Sequence, residues 1–152
     1  MAKNVENGHL WILTGRRGSG KTTLCRRLAA EAQRLKWDVA GVLSPAVFDG
    51  TEKVGIEVLD LRSNETRRFA RKPEGPPESG SSRPGWIFNQ VALAWGNLVL
   101  AQATPCDLLI VDEMGPLEFE AVQGWTAGLA AVDSRNYRVG ILTLRPELLA
   151  TA

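Results

Sequence analysis

Short apolar runs alternate with amphipathic stretches along most of the chain. The run His9–Thr14 is apolar and stops at Gly15, which predicts a buried strand. Leu24, Leu28, Ala32 and Leu35 then recur at helical spacing, while Arg26, Arg27, Glu31 and Arg34 take the other faces. That pattern predicts an amphipathic helix over 21–36. Residues 38–44 read as a second buried strand. Strand, helix and strand in this order make a βαβ unit, which favours a parallel sheet covered by helices. Residues 54–61 alternate partly and are rich in β-branched side chains, 62–65 can turn, and 66–71 can return, so a hairpin is predicted.

Residues 72–85 hold Pro73, Pro76, Pro77 and Pro84 among glycines and serines, and predict a loop. Its length marks a loop with a function or with freedom to move, yet it is too short to divide two domains. Residues 90–103 are apolar nearly all round and predict a buried helix. Residues 107–113 predict a central strand that ends in two acids, Asp112 and Glu113. Val122, Trp125, Leu129 and Val132 mark another amphipathic helix, 137–144 a further strand, and Pro146 the start of a last short helix. No internal repeat is visible.

Composition narrows the class without changing this picture. The 152 residues are 44% hydrophobic and 23% charged, ordinary values for one globular domain spanning 1–152. The net charge of +1 supplies no global basic field, so no nucleic-acid partner is expected. No apolar run approaches the ~20 residues of a membrane span. The polar stretch 1–9 shows no secretory signal, so the expected location is cytoplasmic. Cys25 and Cys106 are too few for a disulfide scaffold or a zinc site, and read as buried, inert thiols. His9, the single histidine, cannot build a metal cluster alone and reads as a strand-edge residue. Most of the five tryptophans are expected in the core, with Trp86 beside the Pro/Gly loop the best candidate for an exposed contact or a base stack.

The chemistry begins at Gly15-Arg-Arg-Gly-Ser-Gly-Lys-Thr22, a complete Walker A motif that follows a strand and opens a helix. Its glycines allow the backbone N–H groups of Gly15, Arg16, Arg17, Gly18, Ser19, Gly20, Lys21, Thr22 and Thr23 to close around a nucleotide's phosphates. Lys21 is expected to reach the β- and γ-phosphates, and the Thr22 hydroxyl to bind Mg²⁺. Arg16 and Arg17 occupy variable positions, where they either touch phosphates or pair with acids elsewhere.

Residues 106–114 have the form of a Walker B strand, in which apolar residues end in an acid at the carboxyl edge of the sheet. Asp112 is expected to hold Mg²⁺ through a water. Glu113 is expected to orient the attacking water, with a helix-opening acid as the alternative. Glu118 fits a helix cap better than a catalyst. No Asn-Lys-x-Asp motif appears, which disfavours a Ras-like GTPase, and no Leu-Ser-Gly-Gly signature appears, which disfavours a transporter ATPase.

These two motifs, their spacing and the run Asp112-Glu-Met-Gly-Pro-Leu-Glu118 resemble the small P-loop nucleoside triphosphatases of the thermophilic and cancer-related type. The likeness extends through 18–24, 41–45, 55–61 and Gly85-Trp86 with Phe88, and is patchy over 62–84. It implies an α/β fold, a P-loop NTPase with a RecA-like, predominantly parallel sheet flanked by helices and carrying the hairpin as an insertion. It also implies Mg²⁺-dependent hydrolysis of ATP, GTP and other triphosphates, with Lys21 and Glu113 catalytic and Thr22 and Asp112 on the metal. Two departures stand out. Where the family has Glu-Val-Arg after Pro45, this chain has Ala46-Val-Phe48, and the sequence stops soon after Pro146, where family members continue. Any polar substrate contact made by the first segment is lost, and base contacts at the rim are expected to be incomplete.

Two other readings remain open on the residues alone. One is a nucleotide or small-molecule kinase, with Arg62, Arg67, Arg68, Arg71, Lys72 and Arg83 as a cationic lid over the phosphates. The other is an adapter whose nucleotide state switches a surface for an unidentified protein partner. Arg16, Arg17, Arg83 and Arg145 all qualify as an arginine finger, and a partner could supply one. Without a finger, worth ~10³–10⁵ in rate, isolated hydrolysis should be slow.

Overall fold

The computed structural model describes residues 7–16, 19–72, 87–114, 125–144 and 146; the side chains of residues 113 and 114 lie outside the description. The loop predicted over 72–85, Arg17, Gly18, Trp86, Glu118, Arg83, Arg145 and the helix expected after Pro146 fall almost entirely outside these segments. An eight-stranded mixed sheet runs through the described chain in the order β1-β8-β7-β2-β4-β5-β6, with β3 paired to β4. The strands are β1 (His9–Thr14), β2 (Val39–Leu43), β3 (Ala46–Asp49), β4 (Glu52–Asp60), β5 (Thr66–Arg71), β6 (Ile87–Phe88), β7 (Cys106–Met114) and β8 (Tyr137–Leu144). Among the described residues three helices accompany them: α1 (Lys21–Arg34), α2 (Gln90–Ala101) and α3 (Thr126–Ser134).

Strands β1, β8, β7 and β2 are mutually parallel. Their side chains divide by parity between two cores. Ala40 and Val42 of β2, with Leu109 and Val111 of β7, pack under α2 and α3 together with Leu100, Trp125 and Val132. Val39 and Leu43, with Leu108 and Ile110, pack against Cys25, Ala29 and Ala32 of α1. Burial on both faces is why β2 and β7 read as unbroken apolar runs rather than alternating ones. The α/β class with helices on both faces is therefore as the sequence predicts.

The predicted hairpin β4–β5 is present, but it is not an appendage. Val42 and Leu43 pair with Asp60 and Leu59, so β4 joins β2 directly and extends the same sheet as an antiparallel wing. Arg62 locks this wing in place. Its guanidinium donates to both Asp38 carboxylate oxygens at 3.0 and 2.8 Å, and to the carbonyls of Gln102, Ala103 and Pro105 at 2.8–3.0 Å. Strand β3 was not expected. Residues 46–49 carry only a short apolar triplet, Ala46-Val47-Phe48, and become a strand because β4 offers them an edge.

Two burial expectations are corrected. Strand β1 is an edge strand paired only with β8 among the described residues, and Trp11 and Ile12 are 66% and 44% exposed. Helix α2 is buried along Ala92, Gly96 and Leu100, while Val91 and Leu98 are exposed, because only one of its sides meets the sheet and α3. The described tryptophans divide accordingly: Trp125 is buried, Trp95 and Trp37 lie half-buried beneath Arg67 and Arg138, and Trp11 is exposed.

Candidate active site

Parallel pairing brings four carboxyl ends to one edge of the sheet. Gly15 follows β1, Thr143 lies near the end of β8, Asp112 near the end of β7, and Ser44 directly after β2. Ligands of open α/β sheets bind along this edge. Here β8 lies between the loop-bearing strand β1 and the acidic strand β7.

Helix α1 starts at this edge without a side-chain cap. Gly20 is its N-cap, at φ 96°, a left-handed backbone angle that favours glycine. No acid occupies the first turn. The helix therefore presents uncapped backbone N–H donors and its positive dipole end, the two properties that bind an anion. Ser19 N–H donates to the Arg16 carbonyl at 3.0 Å, which folds the described part of the loop back toward the helix. The Lys21 ammonium donates to the carbonyls of Gly15 at 2.6 Å and Arg16 at 3.2 Å. It thus lies along the loop that is expected to hold phosphate. Arg16, Thr23 and Ser19 are exposed.

The second half of the site is a buried carboxylate. Asp112 is fully buried and accepts from three groups. Thr22 Oγ1 donates to Oδ2 at 2.8 Å, Ser44 N–H donates to Oδ2 at 3.1 Å, and Thr143 Oγ1 donates to Oδ1 at 2.8 Å. A charge this deep is tolerable only because such donors replace water. Thr22 and Asp112 are ninety residues apart in sequence, and their contact closes the two motifs into one site. Both groups present hard oxygen donors, which suit Mg²⁺. Among the described residues no cluster of three or more His, Cys, Asp or Glu could hold a metal. Mg²⁺ does not need one, since it usually keeps several waters and takes one or two carboxylates plus phosphate oxygens.

The register of β7 against β8 shifts between Val111 and Met114, across the acidic pair. Bulges of this kind re-aim side chains and are frequent beside active sites. The backbone of Glu113 belongs to strand β7. Cys25, on α1, has its thiol pushed up to about 12 by burial first and by the nearby Asp112 charge second. Cys106 is likewise pushed up to about 12, chiefly by burial. Both are free, buried thiols, and at neutral pH both stay protonated.

Beside the helix start opens a cleft of about 560 Å³. Lys21, Thr22 and Arg26 of α1 form one wall, and Ser44, Phe48 and Lys53 face them from the β2–β4 side. Sequence reasoning missed two members of this region. Thr143 carries a signal in retrospect: a lone hydroxyl in the apolar run Ile141-Leu142-Thr143-Leu144, completely buried. Ser44 carries none, because a serine after a strand reads as an ordinary turn. Three of the cations proposed for a lid are otherwise engaged. Arg62 holds Asp38, Arg67 pairs with Glu65 and covers Trp95, and Lys72 pairs with Glu52.

Comparison with known proteins agrees with this geometry. A family model described as NTPase matches residues 10–146. The nucleoside-triphosphatase THEP1 of Pyrobaculum islandicum is 32% identical over 127 residues, which cover 84% of this chain and 69% of that protein. THEP1 of Methanopyrus kandleri is 28% identical over 149 residues, covering 91% of this chain and 81% of its own. The solution structure of a human cancer-related nucleoside triphosphatase superposes with a TM-score of 0.64 at 22% identity, over 90% of this chain and 76% of that one, a likeness of fold. With both motifs joined at one sheet edge and the family match spanning nearly the whole sequence, the chain belongs to the NTPase family and is an enzyme of the nucleoside-triphosphatase class.

Proposed function

We propose that this enzyme hydrolyses nucleoside 5′-triphosphates of several bases, ATP and GTP among them, to diphosphate and phosphate with Mg²⁺. The observation that carries the reading is the 2.8 Å hydrogen bond from Thr22 to Asp112 at the uncapped start of α1. It joins a hydroxyl and a buried carboxylate, an oxygen-donor pair that supports the reading of a metal site beside the phosphates. Phosphoryl transfer needs mainly positioning and charge stabilisation, and these residues offer both.

In this reading, the loop from Gly15 through Thr23, with Arg16, Arg17, Gly18, Ser19 and Gly20, wraps the phosphates. Lys21 leaves the carbonyls of Gly15 and Arg16 for the β- and γ-phosphate oxygens. Thr22, and Asp112 through a water, would hold Mg²⁺, which would supply positive charge against the triphosphate. Glu113 orients the attacking water. Engagement of Arg62, Arg67 and Lys72 in ion pairs weighs against the kinase reading. Among the described residues no helix is long and apolar enough to cross a membrane, and two buried free thiols suit the reducing cytoplasm.

The test is phosphate release from ATP, GTP, CTP and UTP with Mg²⁺, for the wild type, Lys21→Ala and Glu113→Gln. Lys21→Ala should lose nucleotide affinity. Glu113→Gln should bind nucleotide normally and lose ~10²–10⁴-fold in turnover. Undiminished turnover in Glu113→Gln would remove that residue from the mechanism. Nucleotide binding without release in the wild type would overturn hydrolysis itself.

A further inference from the structure

Ser44 is 6% exposed, and its hydroxyl has no hydrogen-bond partner among the described residues. A buried donor left unsatisfied loses its water partners with nothing in return, so such groups are rare and call for a reason. Its position supplies one. The Ser44 backbone N–H donates to Asp112 Oδ2 at 3.1 Å, the same oxygen that accepts from Thr22 at 2.8 Å. The residue also lines the cleft opposite Lys21, Thr22 and Arg26. Its backbone therefore braces the carboxylate, while its side chain forms part of the wall of the cavity beside it.

We propose that Ser44 Oγ is a positioning group that receives an oxygen of the metal–triphosphate complex, either a water held on the ion or an oxygen of the γ-phosphoryl group. This rests on the reading of Thr22 and Asp112 as the metal site. The geometry fits it. Thr22 and Ser44 approach one carboxylate oxygen from opposite elements, α1 and the end of β2. The Thr22 hydroxyl and the Ser44 backbone thus meet at one carboxylate oxygen, which keeps the Ser44 side chain beside the residues read as the metal site. The hydroxyl is unpaired in the free protein and becomes paired on loading. The fold accepts that cost because the bound state recovers it, in the manner of functional sites that trade stability for binding.

Ser44→Ala tests this with two readouts that a packing role would not move together. The first is thermal stability without ligand. Removing an unpaired buried hydroxyl should leave the midpoint unchanged or raise it by up to about 12 °C. A fall would mean that the hydroxyl already has a partner in the fold, and would overturn the proposal. The second is affinity by calorimetry for a non-hydrolysable ATP analogue, with and without Mg²⁺, and for ADP with Mg²⁺. The variant should bind the Mg²⁺–triphosphate analogue about tenfold more weakly, the size of one hydrogen bond to a charged group. If Mg²⁺–ADP weakens equally and metal-free analogue does not, the partner is water on the ion. If the analogue weakens with or without Mg²⁺ and ADP does not, the partner is the γ-phosphoryl oxygen. Unchanged affinity in every arm, or equal loss in all arms, overturns the proposal. Wild-type protein that binds no triphosphate would instead overturn the function on which it rests.

Discussion

The hydroxyl of Thr143 offers the sharpest quantitative test of the site. Thr143 and Asp112 are both fully buried, and Thr143 Oγ1 donates to Asp112 Oδ1 at 2.8 Å. The other two donors, Thr22 and Ser44 N–H, both reach Oδ2. Thr143→Val keeps the shape of the side chain and removes only the hydroxyl, so Oδ1 loses its hydrogen bond with no cavity opened. A bond to a charged group contributes about 1.5–3 kcal/mol, and a buried acceptor left unpaired exacts at least that. For a domain of this size each kcal/mol moves the midpoint by about 2–4 °C. The expected fall is therefore about 3–12 °C. Hydrolysis should fall as well, since the carboxylate would be held at one oxygen only and free to rotate. Thr143→Ser is the control. It keeps the hydroxyl, loses one methyl group, and should cost no more than about 0.8 kcal/mol. Thermal unfolding followed by the fluorescence of the buried Trp125 reads both variants. Equal midpoints for Thr143→Val and Thr143→Ser would refute the reasoning, because the hydroxyl would then contribute nothing net to holding the buried charge.

Two predictions concern parts of the fold away from the phosphates. At Gly96 on α2, an added Cβ would lie 2.6 Å from Trp125 Cη2, so Gly96→Ala sets a helix-propensity gain of about 1 kcal/mol against overpacking of about 1–3 kcal/mol. The ring of Trp125 is buried between Gly96 and Phe69 and has little room to retreat, so a net loss of stability in urea, with unchanged KM for nucleotide, is the expected outcome. The second concerns alkaline pH. Burial raises the Cys25 and Cys106 thiols from 9.0 to about 12 in the folded chain. Above pH 9 the unfolded chain loses thiol protons that the folded chain keeps, so stability is full below that point and declines as pH climbs toward 12. Urea midpoints at pH 8 and 10.5 should differ, and the difference should shrink in the Cys25→Ala, Cys106→Ala double variant.

Much of the site was legible because its parts are local. Gly15 to Thr22 needs only its own glycines and a following helix to make an anion cradle, and the apolar run into Asp112 needs only its own burial. Patterning also revealed β2, β7, β8, α1 and the β4–β5 hairpin, since side chains buried on two faces or one face leave periods of their own in the chain. What the sequence could not determine were facts of neighbourhood. Strand β1 has the apolar content of an interior strand, yet it lies at the sheet edge with Trp11 exposed, because strand order depends on which crossovers pack best. Residues 46–49 extend only because β4 presents free backbone groups to them. Arg62 reads as a mobile cation until tertiary packing sets the carbonyls of Gln102, Ala103 and Pro105 and the carboxylate of Asp38 around it. Thr143 and Ser44 acquire meaning only when parallel pairing brings the ends of β8 and β2 beside Asp112. The sequence by itself determined which residues could perform the chemistry, through local backbone and burial preferences. Tertiary structure alone decided which polar groups share one buried carboxylate, because hydrogen bonds between residues 22, 44, 112 and 143 exist only once the sheet has set their distances.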